Sequence, residues 1–381
     1  MVIFNKFKIG LILNPISGMG GSVGLKGTDG REILLNAINL GAKPSSSLRA
    51  KELLSELRSM ESKIRFVTCP GFMGENILEQ FNFEFTCINH LKFKNVRNLL
   101  DLNSEHTKIA AGIMKTIEDL EILLFVGGDG TARDIVEVVR RSKPCLGIPA
   151  GVKIFSSVFS LNPRMAASLI IQFLLNEIPL KESEVLDIDE NKYRDGELDT
   201  RLYGTLLTPF NPDYIQRSKI GSPESDLNNQ ERIANRVVEL FKNTMYYLLG
   251  PGTTTKAITD NLKQPKTVLG IDLCLNNKII AQDLNEQQIL KYIKGRNTKI
   301  IVSPLGNQGF LFGRGNLQFT PQVLKEIGPN NIIIISTKYK LSNLPNQILR
   351  LDTRDPELDK NLKGYYKVIV DYDDIRIIEV E

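Results

Sequence analysis

Val126-Gly127-Gly128-Asp129-Gly130-Thr131 stands between two unlike segments. Before it, residues 121–126 form an apolar run with the length of a strand. After it, residues 132–141 carry Ile135, Val136, Val138 and Val139 at helical spacing, so the passage reads as strand, tight turn and helix. The same alternation extends in both directions. Strands are expected over 8–14, 64–68 and 145–148, and helices over 46–57, 107–117 and 165–176, which is the pattern of an open parallel sheet covered on both faces. Parallel sheets bind ligands beyond the carboxyl ends of their strands, so the loops after Asn14, Val126 and Ile148 are the places to look for chemistry.

Past residue 180 the character changes. Strands are expected over 186–189, 202–207, 268–275, 300–303, 332–336, 366–370 and 375–380, with helices over 230–243 and 286–294 the clearest between them. The reading therefore divides the chain into an α/β domain over 1–180 and a β-rich domain over 181–381, the last strands of which can return to the first domain. Residues 211–229, rich in Pro, Ser, Gly, Asp and Asn, read as a solvated loop or a lid.

Each loop has its own chemistry. In Gly127-Gly128-Asp129-Gly130-Thr131 the glycines permit close approach of a phosphate, and the helix start adds free N–H groups and a positive dipole end. A carboxylate beside phosphate is repulsive unless it holds magnesium or accepts a proton from an attacking hydroxyl, and both roles belong to phosphoryl transfer. An ordinary turn with Asp as helix cap would use the same residues. The loop Asn14-Pro15-Ile16-Ser17-Gly18 continues through Gly20 and Gly21 to Lys26 and Gly30, as an anion-wrapping loop or a flexible surface loop would. Residues 147–153 close a strand with small residues ending in Gly151 and Lys153, a backbone platform or a structural turn. Gly252-Thr253-Thr254-Thr255 sets three hydroxyls at a helix start where one cap would suffice, which suits a ribose or phosphate. Within 306–316, Arg314 could meet a phosphate or a carboxylate. Asp272 and Asp283 flank an expected hairpin and could reach a ribose hydroxyl.

Composition excludes several classes. Forty-eight basic residues against 44 acidic ones leave +4, too small a bias for a nucleic-acid binder. The longest apolar stretches fall short of the roughly 20 residues of a bilayer span. Cys69, Cys87, Cys145 and Cys274 are scattered singly and only His90 and His106 are present, which disfavours a structural zinc site or a histidine base. The N-terminus runs straight into a strand, and a cytoplasmic protein is expected.

Taken together, residues 14–30, 127–131, 147–153, 250–258 and 306–316, in that order, resemble the NAD kinase superfamily, and within it the ATP-NAD kinase and AcoX-like branch. The resemblance implies a three-layer α/β domain followed by a β-rich domain, with the active site between them. It implies Asp129 as the residue that orients or deprotonates the attacking hydroxyl. Phosphates would be bound by Gly127, Gly128, Gly130 and Thr131, with Asn14, Ser17, Gly18, Gly20, Gly21, Gly151 and Lys153 along the nucleotide. Gly252, Thr253, Thr254, Thr255 and Arg314 would hold the substrate. The activity implied is ATP-dependent phosphorylation of the 2′-hydroxyl of the adenosine ribose of NAD, with Mg2+ held mainly through the ATP phosphates. Expected partners are ATP and NAD or another small hydroxyl acceptor, with neither nucleic acid nor membrane, in a homo-oligomer. The Asn-Glu pair through which better-known members hold adenosine is not matched, since Gly74-Glu75 does not supply it and Asn285-Glu286 lies late. Two alternatives stay open: a kinase of this superfamily acting on a lipid, sugar or other metabolite hydroxyl, and a non-catalytic nucleotide-binding regulator.

Overall fold

The computed structural model describes residues 6–21, 23, 31–150, 154–188, 200–211, 214–215, 224–305 and 309–381. Phe7–Leu13 (β1), Ile64–Thr68 (β2), Glu84–Cys87 (β3), Leu120–Gly127 (β4) and Cys145–Pro149 (β5) form a wholly parallel sheet in the order β3-β2-β1-β4-β5. Helices Arg31–Asn39 (α1), Ser45–Glu56 (α2), Glu75–Leu78 (α3), Leu91–Lys94 (α4), Ser104–Lys115 (α5), Asp129–Val139 (α6) and Pro163–Leu174 (α7) accompany it.

The strands are apolar on both faces because both faces are covered. Ile9, Leu11, Leu13, Ile122, Leu124 and Val126 pack with Leu53 and Leu54 of α2 and Leu169 and Ile170 of α7. The alternate residues Ile12, Leu123 and Phe125 pack with Ala110 and Met114 of α5 and Ile135 and Val139 of α6. Three layers result. Packing is close at the centre: Phe125 meets Phe159 edge-on with ring centroids 5.3 Å apart. A Cβ on Gly147 would stand 2.4 Å from the Phe159 ring, so only glycine fits there.

An antiparallel hairpin of Leu180–Ile188 (β6) and Thr200–Pro209 (β7) completes this unit. The second unit centres on a seven-stranded sheet built from Tyr246–Leu249 (β8), Asp272–Leu275 (β9), Lys278–Ala281 (β10), Thr298–Val302 (β11), Ile332–Ile335 (β13), Gly364–Ile369 (β15) and Ile375–Val380 (β16). Phe310–Phe312 (β12) and Arg350–Leu351 (β14) pair separately. The large sheet is mixed. Strands β8, β11, β13 and β15 run parallel, while β9, β10 and β16 are antiparallel to their neighbours. The expected two-part α/β architecture, with a parallel sheet first and a mixed, strand-rich part second, is what the chain adopts.

The differences from expectation lie in short elements and in the bounds of some longer ones. Strands β3, β8 and β10 have four residues each, too few to show a period against their flanks. The helix expected over 230–243 runs instead from Glu224 to Glu239, so residues 224–229 of the expected loop are helical. Among the described residues no helix is long and apolar enough to cross a membrane.

Candidate active site

The chain leaves β1 for β2 and β3 on one side, then returns to β4 on the other. The strand order therefore reverses between β1 and β4, and the carboxyl ends of strands at such a reversal are where open α/β sheets take ligands. Two of the three loops expected to carry chemistry, those after Asn14 and after Val126, emerge there side by side.

Local bonds tie these loops together. The Asn14 N–H donates to the Val126 carbonyl at 3.0 Å, and Asn14 Nδ2 donates to Thr131 Oγ1 at 2.9 Å. Asn14 Oδ1 also accepts from the Ile16 N–H, which sets the turn that follows. The first two residues of α2 hold the same turn from below. Ser46 donates to the Asn14 carbonyl at 2.6 Å, and Ser45 Oγ lies 3.0 Å from the Ser17 carbonyl and 3.1 Å from that of Ala150. Gly18 adopts φ +76°, and a Cβ there would lie 1.9 Å from the Ala150 carbonyl oxygen, so a side chain is excluded twice over. Gly20 and Gly21 lie in the single 3-10 turn Met19–Gly21.

At the end of β4 the glycines do different things. A Cβ on Gly127 would stand 2.4 Å from Thr131 Oγ1, so this glycine lets the helix fold back onto its own strand. Gly128 is the N-cap of α6 and supplies no side-chain cap, which leaves the leading N–H groups of the helix to other partners. Gly130 meets nothing nearer than 3.9 Å, an Arg133 nitrogen, so internal packing does not require it to be glycine.

Asp129 is the first residue of α6 and is 6% exposed. Its carboxylate is held by the segment after β5. Oδ2 accepts from the Phe155 N–H at 2.7 Å, and Oδ1 accepts from the Ser156 N–H at 3.0 Å and the Ser156 hydroxyl at 2.6 Å. Three of the four lone-pair positions of a carboxylate are thereby used, and the remaining one is on Oδ2. Burial pushes the Asp129 carboxyl up from 3.8 to about 7, against these three donors, and the nearby like charge of Asp187 pushes the same way. Asp187, on β6, is itself paired with Arg133 of α6 at 2.6 Å.

Ser156, Phe155, Arg133 and Asp187 were not legible as site residues. Ser156 and Phe155 sit in an unremarkable Ile-Phe-Ser-Ser run, and nothing local couples them to a residue 26 or 27 positions earlier. Arg133 had one usable signal, its i+4 spacing from Asp129 on one helix face.

The structure brings Asn14, Ser17, Gly18 and residues 127–131 to one edge of the first sheet. Gly151 and Lys153 lie outside the described residues, as do 22, 24–30, 306–308 and most of 211–223. In the second unit, Gly252 (φ +118°) caps the helix Thr253–Asn261. Thr253 is exposed, whereas Thr255 is buried and its hydroxyl lies 2.6 Å from the Gly250 carbonyl and 2.8 Å from that of Gly252, closing its own turn. Thr254 accepts from Lys340 Nζ at 2.8 Å, and Lys340 also reaches Ser303 at 3.1 Å. Arg314 is turned inward. It pairs with Asp352 at 3.4 Å, with side chains 5% and 7% exposed, and lies over the Phe310 ring. Asp272 is buried and accepts from Thr267 and from the Asp283 N–H, so its carboxylate organises the loop around it.

Among the described residues no cluster of three or more Asp, Glu, His or Cys side chains could hold a metal ion by itself.

The ATP-NAD kinase N-terminal domain family matches residues 9–178, and the ATP-NAD kinase C-terminal domain family matches residues 242–380. No curated protein matches the chain in sequence. The first match spans both loops and the Asp129 turn, and the second spans the mixed sheet. With both domains matched in order along the chain, this protein belongs to the ATP-NAD kinase family and is a phosphotransferase that uses an alcohol group as acceptor.

Proposed function

We propose that this kinase, acting in the cytoplasm, transfers the γ-phosphoryl group of ATP to the 2′-hydroxyl of the adenosine ribose of NAD, with Asp129 as general base. The observation that carries the reading is a buried carboxyl, near 7 rather than 3.8, at an uncapped helix start on the switch point of a parallel sheet. A base poised near neutral pH is ionised often enough to act and basic enough to take a hydroxyl proton.

The chain's own groups divide the work. The backbone N–H groups that begin α6 face the phosphates, and Gly130 leaves the space for them. Phe155 and Ser156 fix the Asp129 carboxylate so that its open Oδ2 position is the one presented to the acceptor. The acceptor oxygen bonds to the γ-phosphorus as the bond from that phosphorus to the bridging oxygen breaks. The hydroxyl proton passes to Asp129, and ADP leaves. Mg2+ would arrive on the triphosphate and neutralise its charge.

The test is an assay of purified protein with ATP, Mg2+ and NAD, following NADP, alongside a screen of lipid, sugar and nucleoside acceptors with labelled ATP. NADP formation is expected. Label on another acceptor with none on NAD would replace the substrate, and nucleotide binding with no transfer to any hydroxyl would replace the kinase by a sensor.

A further inference from the structure

We propose that Arg133 is the side chain that meets the phosphoryl group in flight, with Asp187 as its resting partner. The inference deepens the reading of Asp129 above and rests on it.

Arg133 follows Asp129 by four residues in α6, so the two side chains share one face of the helix. Long side chains in helices lean toward the N-terminus. Arg133 does so: one guanidinium nitrogen lies 3.9 Å from where a Cβ of Gly130 would stand. A full positive charge therefore rides over the first turn, beside the helix end that already carries partial positive charge. For the helix alone this is the wrong sign, because cations favour the other end. The arrangement makes sense if an anion is meant to arrive there.

Until it does, Arg133 is held. Its Nη1 pairs with Asp187 at 2.6 Å, and its guanidinium lies 5.8 Å from the centre of the Tyr203 ring, which Arg201 approaches from β7 at 5.4 Å. The Arg133 side chain is 35% exposed, so a ligand can reach it. Asp187 is positioned by the same serine that grips the base. The Ser156 hydroxyl, bonded to Asp129, also lies 2.8 Å from the Leu186 carbonyl and accepts from the Leu186 N–H at 3.0 Å. A planar guanidinium fork fits phosphoryl oxygens, which carry more charge than one carboxylate. Exchange of Asp187 for the phosphoryl group would also uncover the Asp187 charge beside Asp129. That raises the proton affinity of the base at the moment its substrate is in place.

The experiment is a titration of the full chain with a non-hydrolysable ATP analogue and with ADP, followed by kinetics on the acceptor. Arg133→Met should weaken the analogue about 10- to 100-fold and ADP less than about 3-fold, since only the analogue carries the terminal group. It should lower kcat by roughly 10²–10³, the range for a positioned electrostatic group. Asp187→Asn breaks the same ion pair but leaves the guanidinium. It should keep analogue affinity within about 3-fold and shift the acid limb of kcat/KM to lower pH by removing a like charge. Equal losses for analogue and ADP, unchanged analogue affinity, or Asp187→Asn reproducing Arg133→Met would reduce Arg133 to a tether between α6 and β6. Failure to make NADP with the analogue selectivity intact would strike the acceptor assignment and leave this one standing. Full turnover by Arg133→Met would do the reverse.

Discussion

Replacing Asp129 by Asn should slow turnover sharply and, at alkaline pH, make the protein relatively more stable. The carboxyl is raised from 3.8 to about 7 in the folded chain. A group whose folded value lies above its unfolded value contributes stability that is present below the unfolded value and is lost as pH rises through the folded one. The window is therefore pH 3.8 to about 7. At 1.36 kcal/mol for each unit of pKa, ionising Asp129 in its buried site costs roughly 4 kcal/mol above that window. At about pH 5 the folded carboxyl is protonated while the unfolded one is ionised; at about pH 8.5 both are ionised. Between these two pH values the wild type should lose roughly 3 kcal/mol through this one group, or about 6–12 °C in Tm for a domain of this size. The amide of the variant does not titrate. It also places an N–H₂ where Oδ2 or Oδ1 now accepts, so the variant begins with a loss of one or more of the bonds from Phe155 and Ser156. That loss is independent of pH. Urea unfolding of both proteins at about pH 5 and about pH 8.5 isolates the effect, since all other titrating groups cancel in the comparison. Parallel pH curves for the two, within about 1 kcal/mol, would refute a carboxyl raised by burial at this site.

Other outcomes follow from the same geometry. In turnover, Asp129→Asn should lower kcat by roughly 10²–10⁴, and wild-type kcat/KM should rise with pH to a plateau above about 7 as the base ionises; a profile that stays flat from about pH 5 to about pH 9 would remove the base. Gly130→Ala has room for its Cβ and gains up to about 1 kcal/mol of helix propensity, so its melting temperature should hold or rise while kcat/KM for ATP falls at least about 10-fold. Gly127→Ala should instead lose about 1–3 kcal/mol, because Thr131 must move and its bond to Asn14 breaks; thermal melts of the two variants decide which glycine serves the fold. Arg314→Met leaves Asp352 without this ion pair in the interior and should cost about 3–5 kcal/mol in urea unfolding, with nucleotide affinity at an unfolding-free urea concentration unchanged.

What could be read from residue order alone was whatever is decided within one or two turns of chain. Alternating apolar runs and helical periods specify a parallel sheet. Glycines at strand ends mark where backbone must bend or approach something, and the carboxylate among them at 129 pointed to phosphoryl transfer. The pairing of Asn14 with Thr131 at neighbouring strand ends is a direct consequence of that topology. The surroundings of each charge were not legible, because burial and partners are set by contacts far apart in sequence. Arg314, beside glycines in an apolar run, looked like a group offered to a ligand; Asp352, 38 residues on, takes it inside. Thr255 reads as a third ligand hydroxyl, and the structure directs its proton to the carbonyls of its own turn. Asp129 was identifiable as a carboxylate beside a phosphate loop, but its basicity was not. That comes first from burial, which excludes water only when the segment after β5 and the β6 strand fold over the start of α6; the Asp187 charge adds to it, and the Phe155 and Ser156 donors oppose it.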